Sequence, residues 1–152
     1  PDNINIIGPE DPISTYSLFK LTDLAIIYGT KTGVELTADG IPTIVAGEAW
    51  IKNKGLTYDP INKKEYFDLL TNINDIKPMT KSQTERAILY AFHFFFRRMI
   101  PVNFIKHDKY QKFKLEIPFK EITKNKDFDK GLDIICNGII DGKEFIYPAE
   151  ET

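Results

Sequence analysis

Between Ile4 and Gly47 the chain repeats a cycle of short apolar run, polar turn and helical pattern, which is how stacked β-α units read in sequence. Ile4-Asn5-Ile6-Ile7 predicts a strand that stops at Gly8-Pro9. Asp11-Pro12 leads to Ser14 or Thr15 as a helix cap, with Tyr16, Leu18 and Leu21 sharing one face of a short helix. Leu24-Ala25-Ile26-Ile27-Tyr28 is continuously apolar and predicts an interior strand covered on both faces, ending at Gly29. A second helix is predicted from Thr32 or Gly33 to Asp39-Gly40, with Gly40 closing it in the left-handed conformation. Pro42-Thr43-Ile44-Val45-Ala46 predicts the next strand, and Gly47 lets it turn away. Short connections in a β-α-β-α-β order imply a right-handed parallel arrangement.

Glu48 to Asp59 mixes Trp50, Lys52, Lys54 and Gly55 and reads as a surface loop. Asn62 or Asp59 then caps a helix holding Tyr66, Phe67, Leu69 and Leu70, and Asn72 to Met79 is a connector. Ser82 is the expected cap of the longest helix, from Thr84 or Glu85 to Met99. Its apolar face holds Ala87, Ile88, Ala91, Phe92, Phe95 and Met99, widened by Phe94 and Phe96. So aromatic a helix belongs at the centre of its own domain or against a neighbouring one. Beyond Pro101, Lys106 to Lys126 is rich in charge, and Leu132 to Ile140 predicts a last helix broken at Gly138. The pattern as a whole is of the α/β class and reads as a single domain over 1–152, with a core in residues 4–70 and a helical extension over 80–152.

Charge narrows the partners. Lys+Arg 20 against Asp+Glu 22 gives a net charge of −2, so no field points to a nucleic-acid backbone, and an anionic ligand must be held by local geometry. Cys136 is the only cysteine, which rules out an internal disulfide and a multi-cysteine zinc cluster; it reads as a small core residue. The apolar stretch Ala87 to Phe96 is shorter than the roughly 20 residues that cross a bilayer. With no signal-peptide pattern, a cytoplasmic location is expected, and Arg97-Arg98 leaves peripheral contact at the inner face of a membrane open. The start at Pro1-Asp2-Asn3 reads as a cut from a longer chain.

The most informative segment is Tyr28-Gly29-Thr30-Lys31-Thr32-Gly33-Val34-Glu35, set between a predicted strand and a predicted helix. Gly29 permits a sharp turn, Gly33 permits close approach of a ligand, and Thr30 and Thr32 offer hydroxyls. Unpaired amides at the start of the helix suit a phosphate or diphosphate. The segment matches neither GxxxxGK[ST] nor GxGxxG, and glycine and threonine also make ordinary turns. Lys31 reads equally as a phosphate ligand or a solvated loop tip. Glu35 is placed to accept from ribose hydroxyls or to stabilise the helix start. Ser14 and Thr15 before the preceding helix, and Gly47, Glu48 and Trp50 after the next strand, are expected to converge on the same edge of the sheet. Lys54 and Gly55 would close over a ligand there or form a basic surface turn.

Ser14-Thr15-Tyr16-Ser17, Asp23, the run Tyr28 to Glu35, Gly40-Ile41-Pro42, Ala46-Gly47 and Lys54-Gly55-Leu56-Thr57-Tyr58-Asp59 together resemble the carboxyl-terminal half of capsule and surface polysaccharide biosynthesis glycosyltransferases. The similarity is dense from Asn5 to Leu70. It implies one half of a GT-B fold, a Rossmann-like parallel sheet flanked by helices, binding a nucleotide-sugar donor; some members transfer Kdo from a CMP-linked donor. By position, Gly29, Thr30, Lys31, Thr32 and Gly33 would meet the donor phosphate and Glu35 the nucleotide, with Ser14 and Thr15 beside the pocket. The glycan acceptor would sit on the other half, and neither metal nor cofactor is implied. The arginine/histidine-proline element usual upstream is absent here, so transfer by this chain alone is not expected.

No catalytic residue is assigned. Asp127-Phe128-Asp129 has a metal-nucleotide spacing but reads as a solvated charge run among lysines. His93 reads as a core or interface histidine, and His107-Asp108 lacks a nucleophile. Two other classes stay open: a noncatalytic nucleotide- or glycan-binding module, and part of a nucleotide-sugar isomerase or epimerase.

Overall fold

The computed structural model describes residues 3–103, 105–107, 113–115, 120 and 128–149. The chain divides into two compact units, Pro1–Ala91 and Phe92–Thr152.

The first unit is built on a small parallel sheet. Strand β1 (Ala25–Ile27) pairs with β2 (Thr43–Val45) in the register Ala25 to Thr43, Ile26 to Ile44 and Ile27 to Val45. On the other side of β2, Tyr58 forms a parallel bridge with Ile44; its amide donates to the Thr43 carbonyl at 2.9 Å and its carbonyl accepts from Val45 N at 2.9 Å. Helix α1 (Thr15–Phe19) precedes β1, and α2 (Thr32–Ala38) crosses from β1 to β2. Gly40, at φ +83°, ends that crossover as expected, in a conformation costly for any residue with a Cβ. Helix α3 (Lys63–Thr71) follows Tyr58, and α4 (Lys81–Phe92) comes after a 3-10 turn at Ile73–Asp75.

The core joins the buried face of α2 to the sheet. Val34, Ile44, Val45 and Ile51 are fully buried, with Ile27, Leu36, Ile41 and Leu56 around them. Two buried threonines are satisfied locally: the Thr37 hydroxyl lies 3.0 Å from the carbonyls of Gly33 and Val34, and that of Thr43 donates to Ile41 O at 3.1 Å.

Several expectations are revised. Ile4 to Ile7 is not a strand, and Ile6 is 89% exposed. An extended segment needs a partner edge for its amides, and an apolar spelling does not supply one. Strand β1 is covered on one face only, since Ile27 is buried and Ile26 is exposed. The stretch read as a surface loop sends Ile51 and Leu56 into the core before bringing Tyr58 alongside β2. Asn62 does cap α3, its Oδ1 accepting from Glu65 N at 2.9 Å while Glu65 Oε2 accepts from Ile61 N at 3.0 Å. The cap of α4 is Thr80 rather than Ser82. Thr80 Oγ1 accepts from Gln83 N at 3.3 Å and Gln83 Oε1 accepts from Thr80 N at 2.8 Å, a reciprocal pair that starts the helix earlier than predicted. On α4 only Ala87 is buried; Ile88 and Leu89 are exposed.

In the second unit, a π-helical turn (His93–Arg98) follows α4. Within it Phe94 is buried, Phe96 exposed and His93 half-buried; Phe92, the last residue of α4, is exposed. An antiparallel pair, β3 (Ile105–His107) and β4 (Phe113–Leu115), lies where a purely helical extension was expected. Helix α5 (Lys130–Asp141) runs unbroken through Gly138, where a Cβ would sit 2.6 Å from the Phe145 ring. Gly142, at φ +67°, closes it. Asp129 is buried rather than part of a solvated run: Oδ1 caps Leu132 N at 3.0 Å and Oδ2 accepts from Asn103 N at 2.6 Å. Cys136 is exposed rather than a core residue. Asp108 and Asp127 lie outside the described residues.

Candidate functional site

Parallel strands point their carboxyl ends to one edge, where chain leaving the sheet opens into loops and ligands of open α/β sheets settle. Here those ends are Tyr28, Ala46 and the residues after Tyr58. A cavity of about 560 Å³ lies at this edge. Tyr28 lines it from β1, and Ala46, Gly47 and Glu48 from β2; Lys52 follows them. Pro60, Ile61, Asn62, Lys63 and Tyr66, the approach to α3 and its first turn, form the remaining wall. The volume falls within the range of small-molecule sites.

The loops after β1 and β2 interlock. A Cβ on Gly29 would lie 2.8 Å from the Glu48 carbonyl oxygen, and one on Gly47 would lie 2.6 Å from the Tyr28 carbonyl oxygen and 2.7 Å from its ring. Both glycines are thus required by the approach of one loop to the other. Lys52 holds the β2 loop, its ammonium donating to Gly47 O at 2.9 Å and to Glu48 Oε1 at 2.7 Å. The Lys63 ammonium stands 5.8 Å from the centroid of the Phe67 ring. The lining is therefore a tyrosine-flanked, mildly cationic wall, suited to holding a ligand that has both a flat ring and negative charge. Among the described residues no group of three or more His, Cys, Asp or Glu could hold a metal ion.

The Gly29–Gly33 segment is arranged differently from its sequence reading. Thr32 N donates to Thr30 Oγ1 at 3.2 Å, Gly33 N to Thr30 O at 3.4 Å and Val34 N to Lys31 O at 2.9 Å. The amides that open α2 are thus engaged within the turn, and among the described residues the donors left over in this loop are those of Gly29, Thr30 and Lys31. Gly33 is buried against protein, not open to a ligand: a Cβ there would collide with Ile27 Cδ1 and lie 3.1 Å from Ile51 Cγ2.

Of the other residues singled out in the sequence, Gly47 and Glu48 line the cavity and Trp50 does not; the Trp50 carbonyl accepts from the Tyr90 hydroxyl at 2.7 Å. Ser14 occupies the N-cap position of α1 without a side-chain cap bond, and Thr15 is the first residue of that helix. The same helix reaches the start of α2 through Tyr16, whose hydroxyl donates to Glu35 Oε1 at 2.9 Å. Gly55 lines a different cavity with Pro42, which precedes β2, and Lys54 O accepts from Arg86. Lys54 and Gly55 therefore do not cover the carboxyl edge. Tyr28 as a pocket wall, Lys52, Lys63 and Tyr66 were not assigned from sequence. Reading Leu56-Thr57-Tyr58 as a third parallel segment would have brought the residues before α3 to this edge.

The Glu35 carboxylate holds the Tyr16 phenol above its ordinary value, first by accepting its hydrogen bond and then by its charge, both favouring the protonated hydroxyl. Glu35→Gln is expected to lower the pH at which Tyr16 ionises, read in an alkaline ultraviolet titration of the two proteins. Because the folded pKa is raised, the contribution of this bond is complete below the ordinary value of 10.0 and is lost as pH climbs through the raised one. An unchanged titration in Glu35→Gln would contradict the assignment.

No helix among the described residues is long and apolar enough to cross a membrane. Comparison with protein-family models, curated proteins and solved structures finds no match to this chain.

Proposed function

We propose that the Pro1–Ala91 unit is the donor-binding part of a glycosyltransferase of capsule or surface polysaccharide synthesis, a Rossmann-like half of a GT-B enzyme. The observation that carries this reading is the cavity of about 560 Å³ at the carboxyl edge of the parallel strands, walled by Tyr28 at the end of β1, the loop after β2 and the start of α3. The residues of the resemblance, Gly29 and Gly47 above all, are those that let the loops after β1 and β2 meet.

In this reading a nucleotide sugar, of the kind that some members of the resembled family carry on CMP, lies in the cavity. The ammonium of Lys63 faces the phosphate from the cavity wall and stabilises the negative charge that grows on it as the glycosidic bond breaks. Gly29, Thr30 and Lys31 do not line the cavity, and their amides belong to the loop that continues from Tyr28. The acceptor hydroxyl loses its proton to a base on the acceptor-binding half. In this reading the enzyme is cytoplasmic, with peripheral contact at the inner face of a membrane as an option that Arg97-Arg98 leaves open. The second reading, a noncatalytic nucleotide- or glycan-binding module, is favoured by the engaged amides of Thr32, Gly33 and Val34, which leave a weaker anion cradle.

Titration of the chain with CMP, UDP and GDP by calorimetry and protein-observed NMR tests both. Saturable binding with shifts at Tyr28, Gly47 and Lys63 is expected. The absence of any response to all three would overturn the donor reading.

A further inference from the structure

Tyr28 is the last apolar residue of the β1 run, yet it is 79% exposed and stands in the wall of the carboxyl-edge cavity. Its ring is nevertheless held. The Gly47 α-carbon lies so close that a Cβ there would come within 2.7 Å of Cδ2 and 2.8 Å of Cε2. Gly47 is in turn fixed by the Lys52 ammonium on its carbonyl oxygen. Among the described residues the Tyr28 hydroxyl and ring have no hydrogen-bond or aromatic partner. A large aromatic side chain pinned at one edge and otherwise open is suited to covering another flat ring.

We propose that Tyr28 is the stacking platform for the heteroaromatic base of the ligand, with Gly47 as the residue that positions its ring. This rests on the donor-binding reading and adds to it the group that recognises the base. A bare phosphate or diphosphate needs only amides and ammonium groups, and would leave unused the two tyrosines, Tyr28 and Tyr66, that line the cavity with Lys63. A ring-bearing anion uses both kinds of wall. Stacking is tolerant of base identity because every base has a π-face, so affinity from this source is shared among nucleotides rather than confined to one.

The test compares the intact chain with Tyr28→Ala and Tyr28→Phe, using CMP, UDP, GDP and ribose 5-phosphate as probes in calorimetry and ligand-observed NMR. The best nucleotide is expected to bind about tenfold or more tightly than ribose 5-phosphate, the size of effect one stacked base supplies. Tyr28→Ala is expected to remove that advantage and the upfield ring-current shift of the base protons. Tyr28→Phe is expected to keep both. Because the side chain is exposed, thermal melting is expected to be the same in all three proteins. Nucleotide binding that survives Tyr28→Ala with unchanged affinity, or that is matched by ribose 5-phosphate, overturns the stacking role and leaves the donor reading standing. No binding by any probe removes both.

Discussion

Ile44→Ala is expected to lower the unfolding free energy of the Pro1–Ala91 unit by about 2–5 kcal/mol. Ile44 is the middle residue of β2, fully buried between β1 on one side and Tyr58 on the other. Truncation loses the transfer free energy of three carbons and leaves a cavity that a strand hydrogen-bonded on both edges cannot collapse to fill. Domains of this size are stable by roughly 0.05–0.15 kcal/mol per residue, so the loss is a large part of the whole. Trp50, the only tryptophan of the chain, lies in this unit, and its fluorescence during urea unfolding reads the change directly. A midpoint that drops at constant slope is the expected result. A loss below about 1 kcal/mol would mean that Ile44 is not enclosed in solution as it is here.

Gly33→Val is the second large effect, and its direction separates packing from ligand binding. The new side chain enters the closed space between Ile27 and Ile51, at an overpacking cost of about 1–3 kcal/mol. Gly33→Ala is milder: the atom it strikes, Ile27 Cδ1, is the tip of a side chain with some freedom to turn, and alanine gains up to about 1 kcal/mol of helix propensity over glycine. Ile27→Val removes that methyl, so the Ile27→Val/Gly33→Ala double variant is expected to be more stable than the sum of the single changes predicts. Strict additivity in denaturant unfolding would contradict the contact. A loss of nucleotide binding in Gly33→Val would report a loosened core, whereas Tyr28 tests the cavity without touching the core.

The elements that were legible are those whose signals are local. Helix α2 follows from the run Thr32 to Ala38 closed by Gly40, and α3 from Asn62 with Glu65 three residues on. Both are settled within one or two turns of backbone. Thr80 and Gln83 carry the same spacing before α4, but Ser82 offers a competing cap, and choosing between them depends on where the preceding chain arrives. The site was legible in part for the same reason. Gly29 and Gly47 stand out as glycines at strand ends, while the partners that make them necessary, Glu48 and Tyr28, belong to the opposite loop in each case.

By itself, the sequence determined the β-α-β order around β1, α2 and β2, the Gly40 end of α2 and the Asn62 start of α3. Each follows from side-chain periodicity or backbone hydrogen bonding over a few residues. Only the tertiary structure decided that Ile4 to Ile7 goes unpaired while Tyr58 joins the sheet, because strand formation depends on a free edge that another part of the chain must provide. It also decided that Gly33 serves the core and that Tyr28, Lys52 and the start of α3 wall the cavity, since close packing between segments distant in sequence leaves no mark on either segment alone.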